Sequence, residues 1–178
     1  LVHKLDTGEY GLSAEGRRVW NRLVNEPNWL ANAAHSVLFL VVRREADDAW
    51  LLYRRQTHPL KSRVGFMHAL PRSDAAAVDV ARQTLHKRTG LDGSFHVLGS
   101  GYFRVYDGDH LESFTHFDLL VCEDATGDLD VYDKNASYDW VHDPDFTGSD
   151  MIPNMKILSD AYLSGKPFFA DETIAITG

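Results

Sequence analysis

Residues 63–91 read RVGFMHALPRSDAAAVDVARQTLHKRTGL, and we expect the rest of the chain to be built around this stretch. Its second half predicts a helix. Asp74 or Ser73 is placed to cap the helix start, because a short polar side chain can accept hydrogen bonds from the first free backbone N–H groups. Apolar residues recur at helical spacing and predict a stripe that faces the core, namely Val78, Ala81 and Leu85.

The end of this predicted helix is equally clear. Lys87 and Arg88 stand in its last turn, where cations complement the helix dipole. Gly90 supplies a residue that accepts the left-handed conformation, and Leu91 folds back onto the last turn. The stretch therefore predicts a strand or loop, then a buried helix, and then a tight turn that ends the helix.

The spacing resembles the signature of the Nudix hydrolase family, G-x5-E-x7-R-E-U-x-E-E-x-G-U, in which U is aliphatic. Aligned without a gap, the framework positions of the helix and its stop match the signature, at Leu85, Gly90 and Leu91. The other positions depart from it. Ala69 stands at the position of the signature's first glycine and Gln83 at that of its arginine. The positions of its four glutamates hold Ala75, Thr84, Lys87 and Arg88.

The departure changes the chemistry of one helix face. Positions 84, 87 and 88 lie on the same side of a helix. In the family this face presents carboxylates to Mg²⁺, whereas here it offers a hydroxyl and two positive charges. A divalent cation about 4 Å from one ammonium would be repelled by roughly 8 kcal/mol at an effective dielectric near 20. We therefore predict no catalytic residue and no metal ligand in this box.

The same reasoning predicts no cofactor, with one alternative. Mg²⁺ would bind only if acids outside the box rebuild a site near the cleft. Carboxylates on or beside the strands and the start of the helix are the candidates, namely Glu112, Asp118, Glu123, Asp74 and Asp79. Their spacing singles out no pair.

Composition narrows the class of protein. The chain has 178 residues and a formal net charge of −8, which argues against non-specific nucleic-acid binding by the chain as a whole. Cys122 is the single cysteine, so an internal disulfide framework is excluded and a cytoplasmic location is expected. No apolar run is long enough for a membrane span, so no membrane partner is predicted.

The predicted organisation has three parts. Residues 1–24 form a hairpin-helix appendage that resembles the wing and last helix of a winged helix-turn-helix domain, with a structural hairpin and helix as the alternative. Residues 25–33 are a linker, and residues 34–178 are the Nudix-like domain. Because the chain begins at Leu1, we expect upstream residues, and only those residues would carry a recognition helix that binds nucleic acid.

The resemblance implies an α/β fold, a Nudix-like α/β/α sandwich with a mixed β-sheet. Alternating and apolar runs predict its strands at residues 34–42, 50–53, 95–98, 101–105, 113–123 and 138–141. A further helix is predicted to open at Pro153 and close at Gly165, with Ile157, Ala161 and Leu163 on its apolar side. The tail at residues 168–178 is apolar enough to pack, but its position is not predicted.

Four cations are the candidate ligand-binding residues. Lys87 and Arg88 are placed to bind a phosphate group directly, in place of the metal. Arg55 ends a strand that borders the ligand cleft in the family. Arg104, with Phe103 and Tyr106 beside it, is placed to hold a base by stacking. The alternatives are solvent-exposed cations and, for the aromatic pair, residues of the core.

These observations favour a domain that has lost metal-dependent diphosphate hydrolysis and binds a nucleotide-like or phosphorylated small molecule. If the N-terminal resemblance holds, the domain is the sensor part of a regulator. One alternative is an active hydrolase of nucleoside diphosphate-linked substrates with relocated metal ligands. Another is a structural or dimerisation module, with a homodimer as its simplest form.

Overall fold

The computed structural model describes residues 2–4, 10–12, 34–56, 61–133 and 135–176. The chain divides into two compact units, Leu1–Ala34 and His35–Gly178. In the first unit, β1 (Val2–Lys4) and β2 (Tyr10–Leu12) pair antiparallel and form the predicted hairpin. The helix predicted after this hairpin and the linker predicted at residues 25–33 lie outside the described residues.

The second unit is built on a mixed sheet. Its described strands are β3 (His35–Arg44), β4 (Ala49–Arg55), β5 (Val64–Gly65), β6 (Met67–Ala69), β7 (His96–Asp107), β8 (His110–Cys122), β9 (Ala136–His142) and β10 (Phe168–Ile176). The strand order is β10-β7-β8-β3-β4-β5, with β6 paired to β3 and β9 paired to β4. Strand β10 runs parallel to β7 and β3 runs parallel to β8, while the other pairs are antiparallel.

Two described helices, α1 (Ala77–Thr89) and α2 (Met155–Ser164), cover the two faces of this sheet. Side chains of a strand alternate between faces, so Leu40 of β3 joins the apolar cluster that contains Leu85 of α1. Its neighbour Val41 joins the cluster that contains Leu158 of α2. The fold is an α/β/α sandwich with a mixed β-sheet, which confirms the predicted fold class.

The start of α1 corrects one prediction. Neither Ser73 nor Asp74 caps the helix, because the N-cap residue is Ala76 and no side chain caps it. The Asp74 carboxylate instead accepts hydrogen bonds of 2.9 and 2.6 Å from Arg72, and a charged donor of this kind outcompetes a backbone N–H. The predicted stop is confirmed, since Gly90 has φ 72° and Leu91 is fully buried.

Helix α2 corrects two more predictions. The helix begins at Met155, two residues after Pro153, with Asn154 as its N-cap residue. Met155, Leu158 and Tyr162 are its buried apolar residues, and Ile157 and Ala161 are partly buried against the same cluster, as predicted. Leu163 is 64% exposed, because it lies about 200° around the helix from Ala161.

The C-terminal segment, which the sequence left unassigned, is strand β10. Its residues pair in parallel register with β7, from Phe168 opposite Gly99 to Ile176 opposite Asp107. The backbones approach closely at Gly101, where an added Cβ would collide with the Ala170 carbonyl. Neither described helix has the length and apolar character that crossing a membrane requires.

Candidate functional site

A cleft of about 740 Å³ lies between α1 and the β4–β9 strand pair. Three features of the fold build it. Strand β9 pairs antiparallel with β4, which sets Tyr138 opposite Tyr53 and Ala136 opposite Arg55. Strand β6 brings His68 to the cleft, and α1 contributes Thr84, Lys87 and Arg88 to its wall.

Three of the four predicted ligand-binding residues meet in this cleft: Arg55, Lys87 and Arg88. Lys87 is exposed, while Arg88 is partly buried and donates from Nη1 to the His68 carbonyl at 2.9 Å. This bond anchors the guanidinium to β6 and leaves further N–H groups of its fork to bind an anion. The helix face that carries carboxylates in the Nudix signature is therefore cationic in three dimensions as well.

The structure does not bring the fourth predicted residue to this cleft. Arg104 lies on β7, where its guanidinium pairs with Asp171 of β10 and stands 4.8 Å from the ring centre of Phe114. Phe103 is buried and stacks on Phe117, with ring centroids 4.5 Å apart. Phe103 is therefore a core residue, as its alternative interpretation held, whereas Tyr106 is only partly buried.

Asp133 introduces a carboxylate into the cleft. Its Oδ2 accepts a hydrogen bond of 2.9 Å from the Tyr138 hydroxyl, and its Oδ1 accepts one of 2.9 Å from the Asn135 backbone N–H. Arg88 Nε lies 3.7 Å from Oδ2. The segment that carries Asp133 is fixed to the end of α1, because Tyr132 N–H donates to the Arg88 carbonyl at 3.0 Å.

Three rings line the inner part of the cleft. Tyr53 lies 5.5 Å from His68 and 6.2 Å from Tyr138, measured between ring centroids. Burial, helped by the nearby Arg88 and Arg55, lowers the pKa of His68 to about 4. Burial also raises the pKa of both tyrosines. At neutral pH the rings are therefore uncharged, and the charge of the cleft comes from its cations and Asp133.

The donor set does not fit the divalent ion that the Nudix signature implies. Mg²⁺ requires several oxygen ligands in octahedral geometry. The Thr84 hydroxyl donates to the Val80 carbonyl at 2.7 Å, and the neighbouring positions on the face are cations. Asp133 is the one acid among the described residues that line the cleft, and two neutral donors already hold it.

The acids outside the box are dispersed as well. Asp79 pairs with Arg82, and Glu123 accepts a hydrogen bond of 2.6 Å from Tyr162 on the opposite side of the sheet. The side chain of Glu112 lies outside the described residues. Across the described part of the chain, no group of three or more His, Cys, Asp or Glu residues is arranged to hold a metal ion.

Sequence patterns did not identify four further residues of the cleft, His68, Asp133, Tyr53 and Tyr138. His68 directly precedes Ala69, the first position of the signature, and that placement is the one local signal that could have identified it. Asp133 belongs to a long acidic segment that is typical of solvated surface. Strand pairing across more than 80 residues, rather than any local spacing, brings Tyr138 beside Tyr53.

Solved structures with the same architecture come from Nudix proteins. A mutator MutT protein from Bacillus halodurans aligns with a TM-score of 0.63 and 11% identity, over 78% of this chain and 89% of that one. The Nudix domain of Shewanella oneidensis NrtR, in complex with ADP-ribose, aligns with a TM-score of 0.60 and 11% identity, over 82% of this chain and 96% of that one. A MutT Nudix hydrolase from Burkholderia pseudomallei aligns with a TM-score of 0.56 and 10% identity, over 72% of this chain and 98% of that one.

No family model matches the sequence, and no curated protein matches it either. The similarity is therefore one of structure, at an identity too low to carry a function. The chain has the Nudix fold, as its degenerate signature predicted. Its cleft occupies the helix face where that signature places glutamates, but with a different set of side chains.

Proposed function

We propose that this domain binds a nucleotide-like or phosphorylated small molecule and does not hydrolyse it by the metal-dependent route of the Nudix signature. The observation that carries the proposal is the convergence of Arg55, Lys87 and Arg88 on one cleft. Arginine and lysine bind phosphate oxygens through charge-assisted hydrogen bonds. A volume of about 740 Å³ suits a small-molecule ligand.

The structural neighbours support the class of ligand. One of them, the NrtR Nudix domain, was solved with ADP-ribose bound. Another, from Francisella tularensis, is a bifunctional NMN adenylyltransferase and ADP-ribose pyrophosphatase, with 14% identity and a TM-score of 0.52 over 85% of this chain and 49% of that one. ADP-ribose is therefore the first compound to test as a ligand of this chain.

We further propose that the domain is the sensor part of a cytoplasmic regulator. The hairpin of β1 and β2 is the described part of the segment that resembles the end of a winged helix. In this proposal, the winged-helix domain binds nucleic acid and the cleft binds the small molecule. Self-association into a homodimer would suit such a regulator.

An active hydrolase with relocated metal ligands is the second candidate function. The observation that favours it is the similarity of the fold to proteins described as hydrolases and as an ADP-ribose pyrophosphatase. Such an enzyme would need carboxylates other than those of the signature. The two candidates differ in turnover, so one assay separates them.

The deciding experiment is a thermal-shift titration with ADP-ribose, AMP, ADP and ATP, with and without Mg²⁺, together with a phosphate-release assay. We expect ADP-ribose to raise Tm by several degrees without metal, because ligand at 100 times its Kd adds about 2.7 kcal/mol of stability. We expect no metal-dependent release of phosphate or nucleoside monophosphate.

Matched variants assign the shift to the cleft. Lys87→Ala should abolish most of the shift, because it removes a cation from the cleft wall. Lys61→Ala is the control, because Lys61 is exposed and does not line the cleft. Metal-dependent turnover by the wild-type protein would support the hydrolase instead. Absence of any shift and of turnover would leave a structural or dimerisation module.

A further inference from the structure

Asp133 sets the charge balance of the cleft. Among the described residues that line it, this is the one acid, and it faces three cations, Arg55, Lys87 and Arg88. His68 contributes no charge at neutral pH, because burial and the two arginines hold its pKa at about 4. The cleft therefore carries an excess of two positive charges.

The structure holds Asp133 in place independently of Arg88. Both carboxylate oxygens accept hydrogen bonds of 2.9 Å, from the Tyr138 hydroxyl and from the Asn135 backbone N–H. The Asp133 side chain is 14% exposed. The 3.7 Å separation from Arg88 Nε is within ion-pair range but too long for a hydrogen bond. A ligand can therefore bind the guanidinium while the carboxylate stays where it is.

We infer that Asp133 is a specificity-determining residue that limits the negative charge of the ligand, so that the cleft favours a phosphate compound with about two negative charges over one with more. This inference rests on the proposed function, since it concerns the same cleft. A phosphomonoester carries about −1.5 to −2 charges at pH 7, which matches the excess of two. Additional phosphates bring like charge toward a carboxylate that is largely shielded from water, where repulsion is strong.

The test uses a ligand series in which the base and the sugar stay constant and the charge increases. Association constants for AMP, ADP and ATP are measured by calorimetry on the full chain, at fixed ionic strength and with a chelator present. The readout is the ratio of the ATP constant to the AMP constant. We expect this ratio to rise roughly tenfold in Asp133→Asn, which removes one negative charge from the cleft.

The choice of variants separates charge from shape. Asparagine keeps the size of Asp133, its carbonyl can accept from the Asn135 N–H, and its amide can donate to the Tyr138 oxygen. A purely structural effect would change the three nucleotides alike and leave the ratio unmoved. Asp128→Asn is the control, because Asp128 is exposed on the same segment and does not line the cleft. If Asp133→Asn unfolds at low temperature, Asp133→Ser removes the same charge.

The outcomes distinguish this inference from the proposed function. If the wild-type protein binds AMP and the ratio is the same in the Asp133 variants, the inference fails and the proposed function stands. If the wild-type protein binds ATP at least roughly tenfold more tightly than AMP, the inference fails without any variant. If neither the wild-type protein nor a neutral variant binds any of the three nucleotides, this inference fails, and the titration with ADP-ribose alone decides the proposed function.

Discussion

At the scale of single residues, the cleft holds fixed charges where the Nudix signature places a metal site. Arg88 is the best-defined of its cations, since one N–H group is bonded to the His68 carbonyl and another points toward Asp133. Thr84 stands at a glutamate position of the signature, and its hydroxyl donates a hydrogen bond to the Val80 carbonyl within α1. These residues can bind an anion without first recruiting a cation.

His68 makes the free energy of unfolding depend on pH. Its pKa is about 4 in the folded protein and 6.5 when unfolded, so the unfolded chain binds more protons between these values. The free energy of unfolding therefore falls as pH decreases from 6.5 to 4, by at most about 3 kcal/mol. We expect His68→Phe, which keeps a ring beside Tyr53, to reduce this loss in urea titrations across that range.

The control for this prediction is His96→Gln. His96 is exposed on β7 and does not line the cleft, so its replacement controls for the loss of a histidine outside the cleft. An equally steep loss of stability in His68→Phe and in the wild-type protein would show that other groups cause it. Carboxylates with lowered pKa values, such as Asp74 and Asp124, would be the first to test.

At the scale of elements, α1 has the framework residues of the Nudix signature and cationic side chains on the face that lines the cleft. Leu85 and Leu91 are fully buried, and Gly90 ends the helix in the left-handed conformation. The face that lines the cleft is under no such packing constraint. The charge of the side chains on this face can therefore be positive or negative without a change in the position of the helix in the fold.

Placing two acids on this helix face should not confer hydrolysis. We expect the double variant Lys87→Glu, Arg88→Glu to show no metal-dependent phosphate release, because Ala75 and Thr84 still lack carboxylates. It should also lose the thermal shift with ADP-ribose, since two anions replace two cations. Stability should fall by about 1–3 kcal/mol, because the bond to the His68 carbonyl is lost and a glutamate faces Asp133.

Turnover measurements with Mg²⁺ and Mn²⁺, and melting curves of the apo protein, check this prediction. Lys61→Glu is the matched control for the change of charge, because Lys61 is exposed and outside the cleft. Metal-dependent hydrolysis by the double variant would mean that acids elsewhere complete a metal site. That result would favour the alternative of relocated ligands.

At the scale of the whole molecule, both apolar clusters are built from described residues of the second unit. In chain order, the first described residue of the cluster on the α1 side is Leu38. The first on the α2 side is the partly buried Phe39. A unit that contains its own core is expected to fold by itself. The domain boundary predicted near residue 34 can be tested on this basis.

We expect a fragment of residues 34–178 to unfold in one cooperative transition. Its Tm should lie within a few degrees of that of the full chain, and ADP-ribose should shift it equally, because the fragment retains every described residue that lines the cleft. Calorimetry of the fragment and the full chain checks this. A fragment that melts without cooperativity would show that residues 1–33 contribute to the core.

Much of the fold was predictable from local patterns. The stop at Gly90, the central strand β3 and the mixed sheet all follow from periodicity, turn chemistry or the degenerate signature. The errors arose where a side chain had a competing partner or where a predicted apolar residue lay off the buried face of a helix. Asp74 binds Arg72 rather than a helix N-terminus, and Leu163 lies on the exposed side of α2.

Residue spacing was enough to predict the framework of this protein and the charge of one helix face, because both depend on residues within a few helical turns of one another. Which distant groups join that face depends on the tertiary structure. Strand pairing brings Arg55, Tyr53 and Tyr138 to the cleft and leaves Arg104 paired with Asp171 at another part of the sheet. Asp133 reaches Arg88 for the same reason: such neighbours depend on strand register and segment path, which local spacing does not encode.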